Sequence, residues 1–204
     1  MKLRYPFFLS IAAGILIGIG GSVFLACENR VVGAVLFSVA LLSICYLGLY
    51  LYTGKIGYVA LNHDRQSVSA VAVTLVGNVI GTLGSGLAVG YVKPNYVTTA
   101  VELCEKKLTM LPGQIFLAGV FCGILMYIAV EVFKSHHTPV GILFCVPVFI
   151  LAGFEHSVAD MFYFFTARMM TGEVFLFLLI VVLGNTVGGM LLPWLKMAAG
   201  EEHG

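Results

Sequence analysis

Six stretches of this chain are free, or nearly free, of Asp, Glu, Lys and Arg: residues 5–27, 31–54, 66–92, 108–130, 140–165 and 174–195. Each exceeds the roughly 20 residues that carry an α-helix across the hydrocarbon core of a bilayer. In that solvent every backbone N–H and C=O must find a partner within protein, and a helix supplies those partners locally. Composition agrees, with 60% of the 204 residues hydrophobic and a mean hydropathy of +1.02, more apolar material than a soluble domain uses. The expected fold class is an all-α membrane protein, a single transmembrane domain over 1–204 with six transmembrane helices.

Other bulk features narrow the function. A net charge of +1 gives no basic surface for nucleic acid and no acidic one. Lys2 and Arg4 ahead of the first apolar stretch look like a signal-peptide start, but that stretch is too long for a signal core and five more follow, so a retained first helix is expected. The N-terminal pair and the short basic links at Arg65 and Lys134 place both termini in the cytoplasm of a multi-pass protein of the inner or plasma membrane. Cys27, Cys45, Cys104, Cys122 and Cys145 show no C-x-x-C pairing, so no metal and no cofactor is expected; a Cys27–Cys104 disulfide between loops on one side stays open. His136 and His137 lie in a link and are expected to cap a helix end.

Polar interruptions point to the working centre. The 140–165 stretch carries Glu155, His156, Ser157 and Asp160 near its middle, and ionisable groups at that depth must face protein or a water-filled cavity. The second stretch meets Thr53-Gly54-Lys55 before apolar sequence resumes at Ile56, a pattern that predicts a helix broken there. Gly77-Asn78-Val79-Ile80-Gly81 in the third stretch returns as Gly184-Asn185-Thr186-Val187-Gly188 in the sixth, about half the chain later. Each copy closes a block of three stretches whose middle member is interrupted, and three is odd, so the second block enters the membrane from the opposite side. The expectation is an inverted repeat of three plus three, over about 5–92 and 108–197, with helices two and five broken. Its glycines serve helix packing, Asn78 and Asn185 bond between helices, and residues 93–110 form the longest loop.

These residues also carry a resemblance. Gly153-Phe154-Glu155-His156-Ser157-Val158-Ala159-Asp160-Met161 resembles the G-F-E-H-S-x-A-N-M signature of the formate/nitrite transporter family. The segment from Leu183 to Gly189 is similar to that family's L-G-N-x-x-G-G, the segment from Gly77 to Gly81 to its G-N-x-x-G, and Leu51-Tyr52-Thr53-Gly54 to its L-F-T-G loop. The resemblance implies an aquaporin-like protomer, a homopentamer in the lipid bilayer, and one pore per protomer for small monovalent anions of the formate, nitrite or hydrosulfide class. It implies that Thr53 and His156 line that pore, with apolar constrictions at Phe37, Leu41 and Phe149 on one side and Leu51 on the other. Three positions depart from the family pattern: Lys55 and Asp160 stand where it has asparagine, and Gly123 follows Cys122 where an asparagine is frequent.

The individual residues leave alternatives. His156 is the expected centre of a proton-linked pathway, against a buried histidine bonded to a carbonyl. Glu155 either satisfies amides freed at the break or takes part in transport. Lys55 either snorkels to the surface or draws anions into a vestibule. Asp160 lies four residues past His156; on one unbroken helix the two would stack and the carboxylate would favour imidazolium, whereas a break would separate them. Two other functions compete with an anion pore: a channel for small neutral solutes, and a membrane-embedded enzyme or sensor using Glu155 and His156 for acid–base chemistry. With no nucleophile elbow and no second histidine at ligand spacing inside a stretch, the enzyme reading is disfavoured.

Overall fold

A computed structural model describes residues 3–62 and 64–200; Lys2 of the basic pair, His63 of the 62–66 link and the tail past Gly200 lie outside the described residues. Among the described residues the order is α1 (Arg4–Ala26), α2 (Arg30–Tyr46), α3 (Tyr52–Val59), α4 (Arg65–Val92), α5 (Pro94–Leu108), α6 (Pro112–His136), α7 (Val140–Ala152), α8 (Ser157–Thr166) and α9 (Gly172–Ala198). Helices α1, α4, α6 and α9 are each long and apolar enough to cross a membrane, and α7 with α8 forms an apolar pair bent by 57°. Helix starts follow the capping chemistry of the sequence: Asn29 accepts from the N–H of Val31 and Val32, and Asp64 from Gln66 and Ser67. His137, at φ 52, closes α6 in the left-handed conformation, so the His136–His137 pair ends a helix as expected.

Two expectations need correction. Residues 93–110 are not an open loop: Pro94 at the first helical position starts α5, which turns Ala100 and Cys104 inward and Glu102 and Glu105 to solvent. The interruption in the second stretch also precedes Thr53-Gly54-Lys55, which form the first turn of α3. Gly48, at φ 64, ends α2 in a left-handed turn, and the Leu49 N–H closes on the Ile44 carbonyl at 2.9 Å. Apolar residues run through that turn, so polarity in the sequence marks its far edge only. Cys27 and Cys104 are both free thiols, which removes the disulfide.

The halves interlock. Helix α1 packs along α4 and α6 along α9, while α3 lies on α9 and α8 on α4, so each short helix leans on a long helix from the other half. Gly77 and Gly81 abut α1, and Gly184 and Gly188 abut α6. A Cβ at Gly14 would stand 2.6 Å from the Asn78 carbonyl oxygen, and one at Gly123 would stand 2.5 Å from that of Asn185. Gly123 thus admits the α9 backbone, which accounts for glycine at this departure from the family pattern.

That close approach lets two asparagines brace the interruptions in the same way. Asn78 accepts the Tyr52 N–H at 2.8 Å and donates to the carbonyls of Ser10 (2.8 Å) and Tyr50 (3.0 Å). Asn185 accepts the Ser157 N–H at 2.9 Å and donates to Gly119 and Glu155, both at 2.9 Å. Each side chain therefore ties a long helix to its neighbour and also fills backbone groups that the interruption leaves without helical partners. Replacing either Asn78 or Asn185 by leucine should cost about 1–3 kcal/mol for each backbone group left orphaned. The check is the unfolding temperature in detergent, which should fall for both variants and stay unchanged for a control such as Leu117→Ile on an exposed helix face.

Candidate functional site

Thr53 on the first turn of α3 meets His156, the residue that starts α8, at the centre of the molecule. His156 has an extended backbone (φ −107, ψ 108), so its ring leaves the helix axis instead of stacking along α8. Its Nδ1 accepts the Ala159 N–H at 3.0 Å as a helix cap. With Nδ1 so used, the proton of the neutral ring sits on Nε2, which donates to Thr53 Oγ1 at 2.8 Å. Both side chains are almost fully buried, Thr53 at 1% and His156 at 2% exposure. The His156 ring stacks on Phe149 with centroids 5.5 Å apart, and Phe37 meets Phe149 edge-on at 6.4 Å. The Thr53–His156 contact is thus where the N-termini of two short helices converge.

Asp160 is turned elsewhere. Its Oδ1 accepts from Lys107 Nζ at 2.9 Å, and Lys107 also donates to Glu155 Oε2. The stacked Asp160–His156 pair envisaged from sequence is therefore not formed: the extended backbone at His156 sends the ring to Thr53, while Lys107 holds the carboxylate. Glu155 and His156 likewise face different partners, so they do not converge on one point as an acid–base pair would. Lys107 is the member of this cluster that sequence reasoning missed. It stands at the end of α5, three residues past buried Cys104, so the inward stripe of that amphipathic helix was the available signal. Burial opposes the ammonium charge of Lys107, but the acidic side chains of Asp160 and Glu155 outweigh it and hold the lysine above its ordinary value.

Cavities open on both sides of the waist. One, of about 280 Å³, is lined by Phe37, Phe149, His156, Lys107, Glu155 and Asp160. The other, of about 140 Å³, is lined by Leu41, Leu51, Cys45, Lys55, Val130 and Lys134. A water occupies roughly 30 Å³ of liquid, so either holds a small hydrated ion. The resemblance grouped Leu41 with Phe37 and Phe149; the structure sets Leu41 beside Leu51 instead, on the Lys55 side. Lys55 is half-buried, lines this smaller cavity and sets its Nζ 4.4 Å from the centre of the Tyr50 ring. Among the described residues no three His, Cys, Asp or Glu side chains are placed to hold a metal ion.

Comparison with known proteins fits this picture. The family described as Formate/nitrite transporter matches residues 1–198. The uncharacterised transporter YwcJ of Bacillus subtilis (strain 168) is 27% identical over 234 aligned positions, covering 99% of this chain and 91% of that one. A second uncharacterised transporter of the same strain, YrhG, is 26% identical over 180 positions, 79% of this chain and 68% of its own. Two solved structures share the fold. A pentameric formate channel with formate bound superposes with a TM-score of 0.79 at 21% identity, covering 97% of this chain and 96% of that one. An FNT family ion channel gives 0.82 at 22% identity, covering 98% and 91%.

The Lys107 cluster yields a stability prediction. Lys107→Met removes the cation shared by Glu155 and Asp160, leaves a buried carboxylate unpaired and should cost about 3–5 kcal/mol. Unfolding temperatures of both proteins in detergent measure this directly.

Proposed function

The chain belongs to the formate/nitrite transporter family, and from that premise we propose that it is a proton-linked pore for small monovalent anions, centred on His156. The observation that carries the reading is the Thr53–His156 bond, formed where two helix N-termini meet between two cavities lined by lysines. Helix N-termini present positive potential, so α3 and α8 favour negative charge from opposite sides. Lys55 in one cavity adds charge of the same sign, while Lys107 in the other is paired with Glu155 and Asp160. We read the architecture as six spans: α2 with α3 as a broken second helix, α7 with α8 as a broken fifth, and inverted repeats over about 5–92 and 108–197. The apolar outer faces of α1, α4 and α9 suit lipid and further copies of the chain, and assembly as a pentamer is part of the proposal. Both termini are assigned to the cytoplasmic side by the basic links at Arg65 and Lys134.

The waist sets the mechanism. Phe37, Phe149, Leu41 and Leu51 flank Thr53 and His156, and all six are buried. A bare anion loses its hydration there, and single hydrogen bonds return only part of that cost. A weak acid carrying its proton loses far less. Thr53 and the Nε2–H of His156 can each turn from the other to a solute between them. The neutral ring donates to an anion or an acid without disturbing the Ala159 cap. Forming imidazolium instead would place a proton on Nδ1 and break that cap. The geometry therefore favours crossing as the acid, the proton being taken from water in the entry cavity and released on the far side, so one proton travels with each anion. Glu155, through Lys107, fixes the shape of the entry cavity.

Proteoliposomes given formate, nitrite or hydrosulfide in parallel test the reading. Uptake without chemical conversion should rise as pH falls, because the acid form becomes more abundant. His156→Ala should lower uptake by roughly 10–100-fold, the worth of a hydrogen bond to a charged or strongly polar solute. Uptake indifferent to pH and unchanged in His156→Ala would sink the proposal.

A further inference from the structure

The cluster of Lys107, Glu155 and Asp160 contains more negative than positive charge, and Asp160 is one of the positions at which this chain departs from its family. Lys107 reaches Asp160 Oδ1 at 2.9 Å and Glu155 Oε2. Asp160 Oδ2 has no hydrogen-bond partner and is buried, within a residue only 2% exposed. An ionised carboxylate oxygen in that position would be desolvated and unpaired, the arrangement proteins avoid most strongly. A carboxylic acid there removes the uncompensated charge and leaves one ammonium facing one carboxylate. Among the described residues no second cation stands at contact distance. Helix α5 brings Lys107 and the thiol of Cys104, α6 the thiol of Cys122, and α8 itself the phenol of Tyr163 and the imidazole of His156. Helices α1 and α4 present Gly18, Gly21 and Gly86 to α8. Arg30 and Lys106 line the same cavity but are exposed, so solvent and salt screen them. The α8 dipole favours a carboxylate in its first turn, yet Ser157 N–H and Ala159 N–H already point at Asn185 and His156.

We propose that Asp160 is a specificity-determining proton site for the anion pathway: protonated, it leaves the Lys107–Glu155 pair balanced and the cavity open to anions, and ionised, it makes the cluster net negative and repels them. The proton exchanges between the Asp160 carboxyl and water of the cavity that this residue lines, with no other bond made or broken. An asparagine at this position would mimic the protonated state permanently. Asp160 thus sets an upper pH limit for anion entry that Asp160→Asn should lift. The inference rests on the anion-pore reading for its consequence, though not for the protonation itself.

Infrared spectroscopy and flux separate the two. The chain has two aspartates, and the other, Asp64, is exposed, with its carboxyl held below the ordinary range by the Ser67 hydroxyl. Wild-type protein labelled with carboxyl-13C aspartate should show an isotope-shifted carboxylic-acid C=O band at neutral pH that disappears as pH is raised. This measurement needs no variant to fold. Absence of that band at neutral pH overturns the proposal whatever the flux shows. In proteoliposomes, formate flux of Asp160→Asn should equal that of wild type at acidic pH. It should exceed wild type by roughly tenfold at alkaline pH, the effect of one unit charge a few ångströms from the path. Parallel pH profiles for the two proteins would overturn the charge role. No anion flux from either protein would count against the pore reading, while the infrared band still decides the proton site.

Discussion

Two buried amides hold this structure open at its centre. Interrupting a helix inside a membrane exposes backbone groups that lipid cannot satisfy, and here Asn78 and Asn185 each take one N–H and two carbonyls. Because each binds groups on its own side of the central contact, the N-termini of α3 and α8 are fixed facing one another. Glycines at 14 and 123 make this possible by letting long helices approach at backbone distance. Everything functional in the chain, from the Thr53–His156 bond to the cavities beside it, depends on that geometry.

The electrostatics follow from it. The waist is apolar in its side chains, yet two helix starts converge there and favour negative charge. On the proposed reading such a site draws anions in and refuses them bare passage. His156 is suited to this by being committed on one ring nitrogen: its cap bond to Ala159 keeps the ring neutral and oriented, with one donor left for a solute. Lys107, coming from outside the spans, ties α5 to the Glu155 side of the interruption and keeps one cavity in shape.

Much of this was legible in the sequence. The repeated Gly-Asn motif, the odd number of stretches in each block and the polar residues at 155–160 pointed to two interruptions and to His156 beside one of them. The errors have physical reasons. The first interruption falls in an apolar turn at Gly48, so its polar edge at Thr53-Gly54-Lys55 was read as its middle. Helix α5 has low hydrophobicity and lies between spans, so it read as a loop, and the reach of Lys107 to residues 155 and 160 is a long-range contact that no local pattern encodes. The partner of Asp160 depended on that contact, and the placement of Leu41 beside Leu51 on how α2 and α3 fold back on each other.

The central claim is that the waist passes an anion only together with a proton. Proteoliposomes loaded with a pH-sensitive dye, clamped at zero potential with valinomycin and potassium, and given an inward formate gradient measure this directly. The account predicts that the lumen acidifies with one proton for each formate taken up, and that imposing a membrane potential leaves the rate unchanged. Formate entry that follows the membrane potential and carries no protons would contradict it.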